Sequence, residues 1–397
     1  MSLADQFGTD ILLTGWGHSR FGKRTDETLE SLIVGVATDA IENAGIDAKD
    51  IDEIYLGQFN AGMVPLAFPS SLVLQVSPRL ANVPATRVEN ACASGSAAFQ
   101  QGVKALLAGT ANTVLVVGAE KMTAAGADTV GAALLGADYE MAGKLSRTGF
   151  AGLFATVADA YAERYGDVGD SMGTIAAKNH HNGMSNPYAH LHKDLSEEFC
   201  QTVSEQNPIV AGQLRRSDCS PVSDGAAAVV ISTSDIRSRD AATPGVRLTG
   251  FGHANDFLPS AKRDPIAFAG STAAWQRALA MAGCGLKDLS FAEVHDCFTI
   301  AELILYEALG FTERGDGRRA LDDGTVYRDG KLPVNVSGGL KSKGHPVGAT
   351  GVSQHVIAAM QLTGTAGRMQ LPNARRAALH NMGGLAVANY ASVLEAL

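Results

Sequence analysis

The sequence predicts an α/β protein made of a duplicated unit with an insertion. Short apolar runs alternate with amphipathic helical patterns along the chain. The second half repeats the element order of the first. Between about residues 121 and 220 the alternation stops, which marks a segment inserted between two strands of one sheet.

The elements follow in order. Residues 11–15 read as a strand, and 28–44 as a helix whose apolar face carries Leu29, Leu32, Ile33, Val36, Ala37 and Ile41. Residues 54–57 form a second strand. Residues 86–90 lead into Ala91-Cys92-Ala93 and a helix over 96–108. Residues 113–118 are apolar without alternation, the pattern of a strand buried on both faces. The inserted segment holds helices over 150–164 and 172–180 and polar loops, and residues 224–231 return to a buried strand. Then the order repeats. Residues 246–253 echo 11–18, with Thr-Gly-aromatic-Gly-His in both. Residues 283–289 and the strand after them echo 45–51 and the strand at 54–57. A strand over 333–336 and a helix over 347–363 echo the elements around Cys92, and 377–392 supplies the closing strands. The expected division is 1–120 plus 221–243 as the first half, 121–220 as the inserted domain and 244–397 as the second half. Two sheets should stack around shared helices, with sites where strand ends from both halves meet.

Composition narrows the function classes. The 397 residues are 46% apolar and 18% charged, enough for a large core and too apolar for disorder. The net charge is −9 and no basic run exceeds two residues, so nucleic acid is not an expected partner. No apolar stretch approaches a membrane span, and the acidic N-terminal stretch does not read as a secretory signal. The five cysteines are scattered and include no C-x-x-C pair, which suits a reducing cytoplasm and makes single thiols candidates for chemistry.

Four short runs stand out. Asn90-Ala91-Cys92-Ala93-Ser94-Gly95 places a thiol between a strand and a helix, where the positive helix end and backbone N–H groups favour thiolate. Taken alone, Cys92 reads equally well as a buried structural cysteine. Gly338-Gly339-Leu340-Lys341-Ser342-Lys343-Gly344-His345-Pro346 superficially resembles a phosphate loop, but His-Pro stands where Lys-Ser/Thr is needed. A histidine held there suits a base or an oxyanion donor. His295-Asp296-Cys297-Phe298 ends a strand, and its His and Cys share a side if the strand continues. His380-Asn381-Met382-Gly383-Gly384 follows another strand, with glycines that let a substrate approach the backbone.

In this order the motifs resemble the thiolase superfamily, most closely its sterol-carrier-protein-2-type branch, over nearly the whole chain. Residues 90–95 match the nucleophile motif, Gly344-His345-Pro346 the GHP motif and residues 295–298 the HDCF signature; Gly118-Ala119-Glu120-Lys121-Met122 and Ser223-Asp224-Gly225-Ala226-Ala227 also fit. The resemblance implies a five-layered α-β-α-β-α fold whose inserted segment binds CoA. It implies that Cys92 accepts an acyl group from a 3-ketoacyl-CoA and that His345 activates it. Cys297 inherits the acid/base role, and His295 replaces an asparagine that holds a water in the oxyanion hole. One oxyanion hole is implied at His295 and His345, a second at the peptide N–H groups of Cys92 and Met382. The sequence departs from the family at His380, which stands where other thiolases carry their second cysteine; it is placed in the pocket, tuning Cys297 or Cys92. Ser220, Leu153 and Phe154 align with pantetheine contacts, and Phe298 and Gly383 are expected at the substrate.

The chemistry is coherent. Claisen cleavage needs a nucleophile for a ketone carbon and a proton for an enolate carbon, and two separately tuned thiols supply both. No metal or redox cofactor is required, and CoA enters as substrate. The resemblance also implies a homodimer or tetramer. Some bacterial relatives work with a separate partner subunit, which this sequence does not reveal. Three rivals are a ketosynthase-like condensing enzyme using Cys92, His295 and His345, a non-catalytic acyl-CoA or lipid-binding protein, and a metal site among His180, His181, His190 and His192.

Overall fold

The computed structural model describes residues 3–233 and 245–397. Its strands are β1 (Ile11–His18), β2 (Glu53–Gly57), β3 (Ala85–Val88), β4 (Thr113–Glu120), β5 (Ile209–Ala211), β6 (Leu214–Arg215), β7 (Gly225–Ser232), β8 (Val246–Asn255), β9 (Phe291–Glu293), β10 (Arg376–Gly383) and β11 (Ala388–Ala396). The helices that position the site are α1 (Leu29–Ala44), α2 (Ser94–Ala108), α3 (Ala127–Leu135), α4 (Gly149–Tyr165), α5 (Gly169–Gly183), α6 (Ala269–Ala282), α7 (Thr299–Ala308), α8 (Gly339–Lys343) and α9 (Thr350–Leu362).

The main sheet runs β3-β2-β4-β7-β1-β8-β11-β10-β9. Read from each outer edge, the first half is β3-β2-β4-β7-β1 and the second is β9-β10-β11-β8. The second repeats the first without its outermost strand. That strand was expected over 333–336 and survives as one parallel bridge between Val334 and Ala292. Pro333 has no N–H to extend the ladder, and Asn335 turns to φ 56°. The two half-sheets are also joined along one edge. Ile11, Leu12 and Leu13 of β1 pair antiparallel with Leu248, Arg247 and Val246 of β8 and join them into one sheet.

Layering follows from which helix touches which strand. α1 packs on β1 and β7, and α6 on β8 and β11. α2 and α9 touch each other and strands of both halves. The order is therefore α1, first half-sheet, α2 with α9, second half-sheet, α6, which gives the five layers. One buried core joins Phe99, Val103, Val352 and Val356 of the central helices to Val116, Ile231, Leu248 and Leu379 of the strands.

The repeated Thr-Gly-aromatic-Gly-His run has a steric reason. A Cβ on Gly15 or Gly17 would lie 2.4 Å from Ala40 O or 2.3 Å from Val36 O of α1. On Gly250 or Gly252 it would lie 2.2 Å from Ala278 O or 2.0 Å from Ala274 O of α6. In both halves the outer helix rests directly on the strand backbone, which only glycine permits.

The inserted segment adds no strand to the main sheet among the described residues. It does contain the small hairpin β5–β6, which is too short to register as an apolar run. It packs against the second half. Lys178 Nζ of α5 donates to Glu302 Oε1 of α7 at 2.7 Å and to Val334 O at 3.0 Å. Tyr161 of α4 hydrogen-bonds Glu307 of α7. The expected boundary at 243/244 lies outside the described residues. Among those residues no helix is long and apolar enough to cross a membrane.

The Lys178–Glu302 pair is buried on both sides, with side-chain exposures of 1% and 0%. Glu302→Ala removes the carboxylate bonded to the buried ammonium, so we expect it to lower unfolding free energy by about 3–5 kcal/mol. Urea denaturation read by tryptophan fluorescence checks this; a loss under 1 kcal/mol would mean that the pair is not the anchor of the insertion.

Candidate active site

Cys92 sits between β3 and α2, on a bend that the local sequence stabilises. Ala91 takes a left-handed conformation (φ 48°), strained for a residue with a side chain. Ser94 Oγ accepts from Asn90 N at 2.9 Å and donates to Ala91 O at 2.6 Å, so one hydroxyl holds both sides of the bend. The thiol is not a resting thiolate, as the helix-end argument had suggested. Burial pushes its pKa up to about 12; the Gly384 and Cys92 N–H groups pull the other way without prevailing, and Glu120 pushes it further up. Desolvation of a fully buried sulfur outweighs the helix end. The proton must therefore leave to a neighbouring base.

Two imidazoles, those of His295 and His345, stand beside the thiol. Cys92 Sγ, one ring nitrogen of His295 and one of His345 all lie within 4.8 Å of one another. The two imidazoles meet edge-on, with centroids 5.1 Å apart and planes at 85°. His345 Nδ1 is engaged at 2.7 Å by Thr350 Oγ1, whose hydroxyl donates to Pro346 O at 3.0 Å. The relay Nδ1–H to Thr350 to Pro346 satisfies all three groups and leaves Nε2 with a free lone pair. His295 Nδ1 is engaged by Asn381 Nδ2 at 2.9 Å. Neither Nε2 has a hydrogen-bond partner among the described residues, so these are the nitrogens free to face the thiol. Burial, with the Lys343 charge beside it, lowers His345 to about 3. His295 is pushed well below its usual value by burial, then by His345 and His380. Both rings are neutral near pH 7.

Asp296 ties the two histidine loops together. Its carboxylate accepts from Leu340 N at 2.6 Å and Lys341 N at 3.1 Å, so it anchors α8 just ahead of Gly344-His345-Pro346. A Cβ on Gly339 (φ 56°) would lie 2.2 Å from Asp296 Oδ2, which makes glycine necessary there. Burial and the nearby Glu302 raise Asp296 to about 7.

Cys297 does not continue β9, which ends at Glu293. The expected same-side placement of His295 and Cys297 on a strand therefore does not apply. Their loop is held instead from the insertion. Ser220 N donates to Cys297 O at 3.0 Å, and Cys219 and Phe298 form an antiparallel bridge. Burial pushes the Cys297 pKa well up, and charge on Cys92 and on Asp296 pushes it further. The first of these charges places the two thiols within electrostatic reach. Phe298 stacks on Phe154 at 4.5 Å, with the half-buried Leu153 at the edge of the same cluster. Ser220 is thus hydrogen-bonded to Cys297, and Phe154 stacks on the ring of its neighbour Phe298.

His380, Asn381 and Met382 lie inside β10 rather than after it, and Gly383 ends the strand. His380 is fully buried, and burial lowers it to about 3. Charge on it lowers His295. The N–H groups acting on the Cys92 thiol are its own and that of Gly384. Met382 pairs with Asn389 in the ladder. Gly383 stands so close to the nucleophile loop that a Cβ would lie 2.4 Å from Asn90 O.

Sequence reasoning missed Asn381, Thr350, Asp296 and Glu120. Glu120 accepts from Phe59 N, Asn60 N and Gly348 N at 2.9, 3.0 and 3.0 Å and so ties two loops near Cys92 to the end of β4. It belongs to a stretch already noted, and its position after a fully apolar strand was the available signal. The four histidines of the inserted segment point to separate partners: His180 to Lys193 O, His181 to Asp194, His190 to Ser223 and His192 to Asn186 O. Among the described residues they form no metal-ligand group; Cys92, His295 and His345 alone have ligand spacing.

The buried histidines carry a pH consequence. His18, His180, His345 and His380 are lowered to about 3 and His355 to about 4, in each case mainly by burial. Glu120 and Asp296, raised to about 7, act in the opposite sense. Unfolding frees these five histidines and His295 to bind protons below their ordinary 6.5, whereas the two raised carboxyls release them. Stability should therefore fall on acidification from pH 6.5 towards 4.5, by on the order of a few kcal/mol per pH unit. Urea midpoints across this range check the sign; a flat or rising profile would contradict it.

Comparison with known proteins follows this geometry. A family model described as "Thiolase, N-terminal domain" matches residues 13–235, and one described as "Thiolase C-terminal domain-like" matches residues 252–396. An acetyl-CoA acetyltransferase of Methanothermobacter thermautotrophicus is 35% identical over 375 residues, covering 94% of this chain and 96% of the relative. Sterol carrier protein 2 of Oryctolagus cuniculus is 32% identical over 319 residues, covering 77% of this chain and 57% of that longer protein. Among solved structures, the Ltp2-ChsH2(DUF35) aldolase superposes with a TM-score of 0.79 at 22% identity, over 98% of each chain. With both halves matched by their models and a relative aligned end to end, the chain belongs to the thiolase family.

Proposed function

We propose that this chain is a thiolase that cleaves 3-ketoacyl-CoA with CoA to an acyl-CoA and acetyl-CoA or propionyl-CoA, or runs the reverse condensation. The observation that carries this reading is the buried group of Cys92, His295 and His345 with Cys297 in electrostatic reach of the nucleophile. His345 Nε2 takes the Cys92 proton, and the thiolate attacks C3 of the 3-ketoacyl-CoA. The C2–C3 bond breaks towards C2, leaving an acyl group on Cys92 and an enolate of the departing acyl-CoA. Cys297 gives C2 its proton. CoA then returns a proton to Cys297, attacks the acyl-Cys92 thioester and releases the Cys92 thiolate, which is reprotonated by His345.

Electrostatics orders these steps. Charge on Cys92 holds Cys297 protonated, so the acid is ready while the nucleophile is ionised. Acylation removes the charge from Cys92, and only then does Cys297 lose its proton cheaply. His295 and protonated His345 serve one oxyanion, and the N–H groups of Cys92 and Gly384 serve the other. The pantetheine arm of CoA enters past Ser220, Leu153 and Phe154 of the inserted CoA-binding domain and Phe298 of the second half.

The residues supply the chemistry without metal or redox cofactor. The protein works in the cytoplasm as a homodimer or tetramer. The structural relative described as a complex with a DUF35 chain supports testing for a separate partner subunit. The experiment is a thiolysis panel with straight and 2-methyl 3-ketoacyl-CoAs of increasing length, following loss of the 3-ketoacyl-CoA. Turnover yielding acyl-CoA plus acetyl- or propionyl-CoA is expected. Binding without turnover at every length would favour a non-catalytic acyl-CoA-binding protein.

A further inference from the structure

The geometry points to Asn381 as a positioning residue that fixes the tautomer of His295 and thereby aims a hydrogen, not a lone pair, at the nucleophile. Asn381 Nδ2 lies 3.1 Å from Cys92 O and 2.9 Å from His295 Nδ1. A peptide carbonyl only accepts hydrogen bonds, so the atom facing it must be the amide nitrogen, whichever way the side chain is first drawn. An amide nitrogen has two hydrogens and no lone pair to offer. With one hydrogen on Cys92 O, the other goes to His295 Nδ1, which must accept. A neutral imidazole that accepts at Nδ1 carries its proton at Nε2.

The consequence lies at the other end of the ring. His295 Nε2 is buried, lacks a partner among the described residues and belongs to the ring packed edge-on against His345 beside Cys92. An N–H there is a ready donor to a developing oxyanion and costs no reorganisation. His345 has the opposite arrangement, with its proton on Nδ1 towards Thr350 and a bare Nε2. One ring is thereby set as donor and the other as base, and the choice is made by side chains that touch no substrate. The same bond links the histidine to the backbone carbonyl of the nucleophile, so one amide sets the position of both. It also bears on metals. The three groups have ligand spacing, but a nitrogen bearing hydrogen cannot ligate, so a metal at His295 must first break the Asn381 bond.

The tautomer stands on hydrogen bonds alone; its catalytic meaning rests on the thiolase reading. The test is nitrogen NMR of protein with ¹⁵N-labelled histidine, assigned by loss of signals in His295→Gln. In wild type, His295 Nε2 should appear as the protonated nitrogen and Nδ1 as the unprotonated one. In Asn381→Asp the double donor becomes an acceptor, the proton should move to Nδ1, and kcat for carbon–carbon cleavage should fall roughly 10²–10³-fold with the KM for CoA little changed. Wild-type His295 protonated at Nδ1 would overturn the assignment. So would a folded Asn381→Asp variant that kept either the tautomer or the rate. If that variant does not fold, the wild-type spectrum decides alone. A wild type with the expected tautomer and no thiolysis would remove the thiolase reading and leave the tautomer lock in place.

Discussion

Cys92→Ala is expected to lower thiolysis by roughly 10⁴–10⁶-fold, the scale on which loss of a nucleophile abolishes covalent catalysis. No other thiol can take its place. Cys297 does not belong to the close group that Cys92 forms with His295 and His345, so no imidazole is set beside it in the same way to take its proton. The loss should not come from unfolding. Cys92 belongs to a small apolar cluster with Phe59, Met63, Met122 and Val347, and alanine keeps the backbone bend that Ser94 holds. Stability should stay within roughly 1–2 kcal/mol of wild type. Steady-state thiolysis beside urea denaturation checks both halves. A stable variant retaining more than a hundredth of the activity would mean that the acyl group is carried elsewhere.

Cys297→Ala is expected to lower carbon–carbon cleavage by roughly 10²–10⁴-fold, the usual contribution of a positioned acid or base. Exchange of labelled CoA into acyl-CoA should suffer less. A CoA thiol ionises near pH 8.5 without help, so it can shed its proton to water, whereas the enolate carbon needs an acid held against it. This difference is what identifies a proton donor to carbon. Equal losses in both reactions would assign Cys297 to CoA binding or packing. Intact cleavage would favour a condensing-enzyme chemistry that uses only Cys92, His295 and His345.

Much of the fold was legible because duplication leaves a repeat in the chain. The Thr-Gly-aromatic-Gly-His runs reflect one steric demand met twice, at Gly15 and Gly17 under α1 and at Gly250 and Gly252 under α6. The joining of the half-sheets was not legible, since three residue pairs between β1 and β8 leave no local signature. The strand at 333–336 reads correctly by hydrophobicity and fails by hydrogen bonding, because Pro333 and the turned Asn335 stop the ladder at one bridge.

The site divides in the same way. Cys92, His295, Cys297 and His345 lie in short motifs whose residue types announce chemistry. Asn381 and Thr350 do not, because an amide or a hydroxyl acquires meaning only from what it faces. Asn381 sits one residue from His380, which drew attention as the departure from the family pattern, yet it is Asn381 that bonds His295. The charge state of Cys92 was misjudged because a helix end can be read from sequence whereas depth of burial cannot. At 7% exposure desolvation prevails, which is why the proposed mechanism has His345 take the proton.

The central claim is that an acyl group passes through one sulfur. Brief acid quench of the enzyme with a 3-ketoacyl-CoA, without added CoA, followed by peptide mass spectrometry, tests it most directly. The account predicts the mass of the acyl group on the peptide carrying Cys92, discharged when CoA is supplied. An acyl group on any other residue, or an unmodified Cys92 during turnover, would contradict it.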